Sequence, residues 1–426
     1  MIGPRVLVIF AVAIAGMALP SSAQVHGSVS VTFDVLPDFS DAPGRQSVSE
    51  LRTRLFVERR DQIGEHLRFT LSGYADGLLA DRESLDASSP STDAIARPMD
   101  LFAEFTSSRV DLRAGFSRVV WGRLDELQPT DVVNPLDLTR FLLDGRTEAR
   151  LPAPLVSARV FLHGETVVQA IAVPVFRPGR FDQLDERTSP FNVGVPAGLV
   201  VRRDEPETLA GNLQGGVRLT STVRRVDWGL SAYRGLRSFP TVSAPTIASP
   251  YVETFPRFTM VGGDFETVHG EWGIRGEAAA FVEDSLQVVS PGEGGPRLST
   301  AHGHSMNAGV GVDRQAGDYR IAGDVLWSYR ATAQESDSDV TLVAAADRRF
   351  VHDTRTLRLL AVYDPGDAFF VRGIVTVSLR DDISIEGSSG LFTADASTSN
   401  RVGLAVDTLA RFARRDFLYA RLKVLF

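Results

Sequence analysis

The chain has 426 residues and no cysteine, and its 45 Lys+Arg against 53 Asp+Glu give a formal net charge of −8 at pH 7. The lack of cysteine excludes a disulfide framework, a thiolate metal site and a cysteine nucleophile, and the negative charge argues against nucleic acid as a partner. With 37 Gly and 25 Phe, the composition favours β structure rich in turns over a collagen-like, coiled-coil or disordered chain.

The first 23 residues have the organisation of a signal peptide. Arg5 supplies a positive start, residues 6–19 are apolar, and Pro20 is followed by two serines and Ala23 immediately before Gln24. A short N-terminal membrane anchor is the alternative, but a polar strand pattern begins directly afterwards. We therefore expect an exported protein with a signal peptide at 1–23 and one domain at 24–426. No later apolar run reaches about 18 residues, so no transmembrane helix is expected in that domain.

The rest of the sequence alternates between apolar and polar residues, which is typical of strands with one apolar face and one polar face. In residues 25–33 the odd positions are apolar or glycine, and the even positions are polar. Segments of about 8–12 residues suit a tilted strand that crosses a bilayer. We predict about 18 strands, near residues 25–33, 49–58, 67–75, 98–107, 109–118, 154–163, 166–175, 214–224, 226–234, 257–266, 270–281, 304–313, 319–330, 339–348, 354–364, 368–379, 382–390 and 416–426.

The connections between these segments alternate in length. Short links such as residues 107–108 alternate with mostly long ones, at 34–48, 76–97, 119–153, 176–213, 235–256, 282–303 and 391–415. Short turns on one side and long loops on the other are typical of outer-membrane barrels. The predicted fold is all-β: a single closed antiparallel transmembrane β-barrel of 16–18 strands, with short periplasmic turns and long extracellular loops. The number is even, and 16 applies if the weak segment 382–390 is not a strand.

The last strand ends on an aromatic residue. A terminal alternating strand of this kind resembles the insertion signal that the bacterial barrel-assembly machinery recognises, so this machinery is an expected partner during biogenesis. A soluble β-sandwich is the alternative, but closure into a barrel removes the exposed edges that so many strands would otherwise present. The residues predicted for the assembly signal are Tyr419, Leu422, Val424 and Phe426.

Two motifs stand apart from the strand pattern. The first combines Trp-Gly-Arg-Leu-Asp at residues 121–125 with residues 131–138, and the second combines residues 261–266 with residues 272–277. Both resemble motifs of large, porin-like proteobacterial outer-membrane β-barrels of poorly assigned role. The resemblance implies a location in the outer membrane of a Gram-negative bacterium. Some of those proteins are thought to pass hydrophobic or aromatic compounds, so it also implies uptake of such compounds as an alternative function.

Arginine dominates the polar faces of the predicted strands, and acidic residues are fewer there. If the apolar faces contact lipid, these arginines lie inside a barrel wide enough for a water-filled channel, where their field favours anions. The alternative is that they pair with acids across strands and stabilise the wall. The residues predicted to line the pore are Arg52, Arg54, Arg68, Arg113, Arg159, Arg218, Arg275, Arg320, Arg358 and Arg372.

The loop at 119–153 is the third on the long-loop side, where general porins fold a loop inward as a constriction. We predict a short helix within it, because Asn134 can cap a helix, Pro135 suits its first position and Gly145 can end it. An external lid is the alternative position. A calcium site formed by its aspartates is disfavoured, because their spacing matches no ligand loop. The residues predicted for the constriction are Trp121, Asp125, Asp131, Asn134, Pro135 and Asp137.

No local motif for catalysis is present, because the seven histidines form no H-E-x-x-H and no G-x-S-x-G occurs. We expect no enzymatic activity, no cofactor and no metal, and a barrel hydrolase is the least favoured alternative. The sequence therefore predicts passive diffusion of small solutes through a porin-like channel with mild anion selectivity. Outer-membrane lipid and lipopolysaccharide are expected partners, and the oily outer strands are also compatible with a homo-oligomer.

Overall fold

The computed structural model describes residues 24–37, 48–82, 91–180, 201–244, 250–291, 297–365, 368–394, 403–404 and 415–426. The predicted signal peptide at residues 1–23 lies outside these described residues. Within the described ranges, no helix has both the length and the apolar character needed to span a membrane.

Eighteen antiparallel strands form one closed barrel. They are β1 (Gln24–Leu36), β2 (Val48–Ile63), β3 (Leu67–Arg82), β4 (Ser91–Thr106), β5 (Val110–Ser117), β6 (Ala153–Phe161), β7 (Val167–Val173), β9 (Gln214–Val223), β10 (Val226–Leu236), β13 (Arg257–His269), β14 (Trp272–Ser290), β15 (Arg297–Ala316), β16 (Tyr319–Thr332), β17 (Ser336–Phe350), β18 (Arg355–Asp364), β19 (Ala368–Ser378), β20 (Ile383–Ala394) and β22 (Phe417–Leu425). Each pairs with the next, and β22 pairs with β1 from Ser28 opposite Leu425 to Val35 opposite Leu418. The predicted closed antiparallel barrel is confirmed.

The other elements are short and are not among the eighteen strands of the barrel wall. Strands β8 (Val201–Asp204), β11 (Thr241–Ser243) and β12 (Tyr251–Thr254) form a separate three-stranded sheet. Strand β21 (Gly403–Leu404) adds to the end of β14. The helices described are single turns: α1 (Phe141–Asp144), α2 (Arg146–Ala149) and α3 (Leu209–Asn212).

The period-two pattern gives the barrel an apolar outside and a polar inside. On β1, Val25 and Phe33 are each 50% exposed, whereas Thr32 is 2% and Asp34 is 1% exposed. Successive residues of a strand point to opposite faces, so the exposed apolar set faces outward and the buried polar set faces the lumen. The alternation therefore determines which side chains point into the lumen.

The weak segment near residues 382–390 is a full barrel strand. β20 pairs with β19 from Ala368 opposite Ala394 to Ser378 opposite Ser384, and its other edge pairs with β22. The strand number is therefore 18 rather than 16.

Several strands are longer than predicted on the long-loop side. β14 has 19 residues and β15 has 20, so the loop predicted at 282–303 is mostly strand, and the same correction applies to the loop predicted at 76–97. The register shifts between Phe281 and Asp284, where the alternation breaks. Beyond the apolar band of the barrel, neither face of a strand needs apolar side chains. Backbone pairing therefore continues there, although the alternation of apolar and polar residues has ended.

Candidate functional site in the barrel lumen

Residues 119–153 connect β5 to β6 and cross the interior of the barrel. Asp144 bonds to Arg52 of β2, and Thr130 bonds to Glu277 of β14. Counted around the closed ring, β2 is the second strand and β14 the eleventh, so these contacts lie on opposite walls. Both wall side chains are buried on inward faces. A segment that reaches both must lie in the lumen, and we call residues 119–153 the inner segment.

The helix predicted to begin at Asn134 is wrong at its start. Helix α1 begins at Phe141 and has no side-chain cap, although Gly145 ends it as predicted. Residues 136 and 137 form isolated β-bridges instead. Pro135 accordingly precedes bridged, extended chain rather than a helical turn.

Asn134 joins the two ends of the inner segment instead of capping a helix. Its Oδ1 accepts a hydrogen bond from the backbone N–H of Val119 at 2.7 Å. Its Nδ2 donates to the backbone carbonyls of Ser117 at 3.2 Å and Leu151 at 2.9 Å. A helix cap and this cross-link use the same amide group, so the local sequence fits both.

Replacing Asn134 is expected to loosen the inner segment at its base. Asn134→Ala should lower the free energy of unfolding by about 2–4 kcal/mol, because three buried backbone groups lose their partner. The temperature at which the folded band disappears from an SDS gel measures this effect. Asn307→Ala on β15, outside the inner segment, is the matched control and should change that temperature little. Equal loss of stability in both variants would contradict a specific role for Asn134.

The carboxylate of Glu277 on β14 holds the first turn of the inner segment. Its Oε2 accepts hydrogen bonds from the backbone N–H groups of Arg123 at 2.9 Å and Leu124 at 3.3 Å. Its Oε1 accepts from the backbone N–H of Thr130 at 2.6 Å and from the Thr130 hydroxyl at 2.8 Å. Glu277 is 4% exposed. Four donors that converge on one buried carboxylate offset the loss of its hydration.

Gly122 permits this close contact. Its φ is +97°, and a Cβ atom added there would lie 2.5 Å from Oε1 of Glu277. Only glycine combines that backbone conformation with so close an approach. The glycine of the first sequence motif thus meets the glutamate that ends the second motif. The two motifs form the two sides of one contact, although 154 positions separate Arg123 from Glu277.

Ion pairs extend the same contact. Arg123 bonds to Asp264 of β13 at 2.7 Å. Asp125 bonds to Arg275 of β14 and, at 2.6 Å, to Arg320 of β16. Burial alone would raise the pKa of Asp125, but the hydrogen bond from Arg320 and the charge of Arg275 hold this pKa below its usual value. Both charged residues of the 121–125 part of the first motif are therefore paired with side chains of the wall.

Apolar packing fixes the start of the inner segment. Trp121 is 1% exposed and lies edge-on to Tyr233 of β10, with ring centroids 6.0 Å apart. Its indole N–H donates to Oε1 of Gln169 at 3.1 Å. Phe258 and Phe281 belong to the same buried cluster. A Trp ring that is buried with its N–H bonded gives the segment a fixed position against this wall.

Helix α1 docks on the opposite wall. Leu143 belongs to an aromatic cluster that includes Phe417, and Arg140 donates to both carboxylate oxygens of Glu50. Asp144 accepts two hydrogen bonds from Arg52, at 2.7 and 2.9 Å. Burial alone would raise the pKa of Asp144, but the charge and hydrogen bonds of Arg52 hold this pKa well below its usual value. The carboxylate therefore stays ionised at neutral pH.

The other two aspartates predicted for the constriction also bind arginines. Asp131 pairs with Arg150 at 2.5 Å, and Asp137 pairs with Arg97 of β4 and with Arg180. Burial alone would raise the pKa of Asp137, but the charges of the two arginines hold it below its usual value. The negative charges of these aspartates are therefore balanced by arginine side chains.

Eight of the ten arginines predicted to line the pore form ion pairs. The pairs are Arg52–Asp144, Arg54–Asp76, Arg113–Glu104, Arg159–Asp111, Arg218–Asp264, Arg275–Asp313, Arg320–Asp125 and Arg358–Glu126. Arg372 instead donates to the backbone carbonyl of Leu143, and Arg68 is exposed, with no ion pair among the described residues. Pairing is thus the rule for the inward arginines.

A polar cavity of about 330 Å³ separates part of the inner segment from strands β4 to β9. Trp121 lines it from the segment, and Arg113, Arg159 and Arg218 line it from the wall. Arg218 is 8% exposed, and its Nη1 has no hydrogen-bond partner in the part of the chain that the structure describes. The Arg159–Asp111 pair is loose at 3.9 Å, with the Arg159 side chain 49% exposed. Positive charge is therefore available here.

Two aromatic rings on the strands that line this cavity are covered by guanidinium groups. The guanidinium of Arg113 lies 4.4 Å from the ring centre of Phe102, and that of Arg159 lies 5.4 Å from the ring centre of Phe161. Guanidinium groups that cover aromatic faces make these rings part of a charged surface.

The predicted assembly-signal residues lie at the seam where the barrel closes. Leu422 is 44% and Phe426 is 61% exposed, whereas Tyr419 is buried and its hydroxyl donates to Glu386 at 2.6 Å. Val424 lies opposite Val29 of β1. The alternation between buried and exposed side chains holds as far as Leu422 and then ends, because Lys423, Leu425 and Phe426 are all exposed.

Sequence reasoning missed the partners that hold the inner segment. Glu50, Glu277 and Asp264 are acids on inward faces, but nothing in their local sequence shows that they bind a segment far away in the chain. The available signal was an acid between apolar or small neighbours in the middle of a strand. That signal indicates an inward carboxylate with a partner but does not identify the partner.

Comparisons with known proteins agree with the barrel. No family model and no curated protein matches the chain. OccAB2 of Acinetobacter baumannii is 8% identical with a TM-score of 0.51, covering 95% of this chain and 98% of that one. OpdQ of Pseudomonas aeruginosa is also 8% identical with a TM-score of 0.51, covering 96% and 99%. The chain has the fold of an outer-membrane porin. At this level of identity the porin fold is what these proteins share.

Proposed function

We propose that the protein is an outer-membrane channel through which small solutes diffuse passively, with the inner segment as its constriction. The observation that carries the proposal is that residues 119–153 are bonded to opposite inner walls of an eighteen-strand barrel. Barrels of this size leave a lumen wide enough for water, and a segment fixed across it narrows the passage. No catalytic step is part of the proposal.

The location follows from the distribution of apolar surface. The outward faces expose large apolar side chains along the strands, such as Leu230 at 56% and Ile321 at 63%. Such a band suits the acyl chains of a membrane. We infer export by the signal peptide at residues 1–23, insertion by the barrel-assembly machinery through the terminal strand, and contact with lipid and lipopolysaccharide at the outer surface.

Mild anion selectivity is the second part of the proposal. Most inward arginines are neutralised by carboxylates, which keeps the field in the lumen small. The cavity beside Trp121 has an excess of positive charge among its lining residues, which are four arginines (113, 118, 159 and 218) and two acids (104 and 111). Of these arginines, Arg218 has an Nη1 without a hydrogen-bond partner among the described residues, and Arg159 is half exposed. Guanidinium groups with free N–H donors bind anions in preference to cations.

A planar bilayer with a KCl gradient tests both parts. We expect steady single-channel currents with a reversal potential that favours chloride. Arg159→Gln should reduce that preference, because it removes a positive charge from the cavity. Arg314→Gln, which changes an arginine on the outer face beside Trp272, is the matched control and should leave the reversal potential unchanged.

Three results would count against this proposal. A reversal potential that favours potassium in the unmodified protein would contradict the assignment of the arginines. Equal shifts in both variants would show that Arg159 has no special role. A silent bilayer from folded protein would reject the open channel and favour uptake of hydrophobic compounds or a barrel hydrolase.

A further inference from the structure

A row of three inward residues crosses the seam where the barrel closes. Thr32 of β1 lies opposite Arg421 of β22 and, on its other side, opposite Arg52 of β2. Arg421 also donates from Nε to the Thr32 hydroxyl at 3.2 Å. The first strand of the barrel is therefore flanked by two guanidinium groups of like charge, whose side chains are 3% and 15% exposed.

Asp144 of helix α1 forms ion pairs with both guanidinium groups. Its Oδ1 lies 2.7 Å from Nη2 of Arg52 and 2.9 Å from Nη2 of Arg421. Its Oδ2 accepts a second hydrogen bond from Arg52 at 2.9 Å. Without this carboxylate, Arg52 would have no ion pair among the described residues, and Arg421 would keep only its longer contact with Glu386, at 3.6 Å. The repulsion between the two like charges across the closing strand would then oppose closure.

Further contacts of α1 reach the same part of the wall. Arg372 of β19 donates to the backbone carbonyl of Leu143 and to the hydroxyl of Tyr419, each at 2.9 Å. Arg140, immediately before the helix, pairs with Glu50 of β2. The contacts of α1 thus span β2 on one side of the seam and β19 and β22 on the other.

We infer that Asp144 is a positioning residue that couples the docking of the inner segment to closure of the barrel. Its two ion pairs form together only when β1 is paired with both β2 and β22. The residue that seats the constriction therefore also stabilises the seam between the first and last strands. The coupling to permeation rests on the proposed channel function, whereas the coupling to closure does not.

Asp125 provides a control that carries the same charge. It also bridges two arginines, on β14 and β16, which flank β15 within the wall and away from the seam. Both of those arginines have a second acid partner in Asp313 of β15, so the disulfide described next, rather than the size of the loss alone, decides whether the seam is involved. Asp144→Asn and Asp125→Asn each remove one negative charge from the inner segment without changing its shape. Asp144→Asn should lower the temperature at which the folded gel band disappears by roughly 5–10 °C more than Asp125→Asn does.

A disulfide across the seam separates the two effects. The chain has no cysteine of its own, and Val31 of β1 lies directly opposite Leu422 of β22, both facing outward. Directly opposite residues are within disulfide distance. Oxidation of V31C/L422C should restore the heat resistance of Asp144→Asn but not that of Asp125→Asn. In the bilayer, the oxidised Asp144→Asn variant should still show larger and noisier currents than the oxidised parent.

The outcomes distinguish this inference from the proposed function. The coupling to closure would be overturned if Asp144→Asn and Asp125→Asn were equally sensitive to heat. It would also be overturned if the disulfide restored the heat resistance of both variants or of neither. Normal currents from the oxidised Asp144→Asn variant would overturn its role in seating the constriction. Silence of the unmodified protein would reject the channel while leaving the gel results to decide the closure claim.

Discussion

Replacing Glu277 with alanine is expected to release the first turn of the inner segment and to raise single-channel conductance. The variant leaves the backbone N–H groups of Arg123, Leu124 and Thr130 and the Thr130 hydroxyl without their acceptor. Buried donors without partners cost about 1–3 kcal/mol each, so the total loss should be about 3–6 kcal/mol once lumen water is allowed to replace part of the bonding.

Two variants control this prediction. Glu277→Gln keeps the shape and one acceptor oxygen, so its effect should be intermediate. Glu283→Ala removes a glutamate from the outward face of the same strand, where it is 70% exposed and pairs only weakly with Arg234. That change should be close to neutral, because exposed pairs contribute little. If Glu277→Ala and Glu283→Ala have the same stability on gels and the same conductance, Glu277 does not hold the inner segment in place.

The second large effect is expected at Gly122. Gly122→Ala places a methyl group 2.5 Å from the Glu277 carboxylate in a backbone conformation that side chains rarely adopt. We expect a loss of about 2–4 kcal/mol and a larger conductance, because the turn must move away from the wall.

A double-mutant cycle tests the physical cause. In the Glu277→Ala background the clash with the carboxylate is absent. Gly122→Ala should then lower the free energy of unfolding only through the strain of its backbone conformation. The two changes should therefore be less than additive. Additive effects would mean that Gly122 acts through its backbone alone and that the contact between the two motifs is not the reason for the glycine.

Local alternation was enough to predict the wall but not the contents of the lumen. Each barrel strand carries its own period-two signal, as in residues 25–33, so all eighteen were found from short windows of sequence. The ends of β14 and β15 were missed because strand pairing continues where no apolar face is needed. A short window of sequence is thus enough to predict that a strand is present, but not how far the strand extends beyond the apolar band.

The inner segment shows why the rest of the site was not predictable. The sequence predicts a constriction at residues 119–153 from their place in the order of loops and from the helix signals at Asn134, Pro135 and Gly145. The pairing of Arg123 with Asp264 and of Asp144 with Arg421 depends on which walls the closed ring brings together. Asn134 illustrates the same limit, since its amide serves equally well as a helix cap or as the cross-link observed.

Polymer exclusion in single-channel recordings tests most directly whether the inner segment narrows a channel. Neutral polymers of increasing size lower the conductance only when they enter the pore, so they measure its narrowest width. We expect the unmodified protein to exclude polymers that the Glu277→Ala variant admits, when both show the same folded fraction on gels. An identical size limit in both proteins would contradict a constriction formed by residues 119–153.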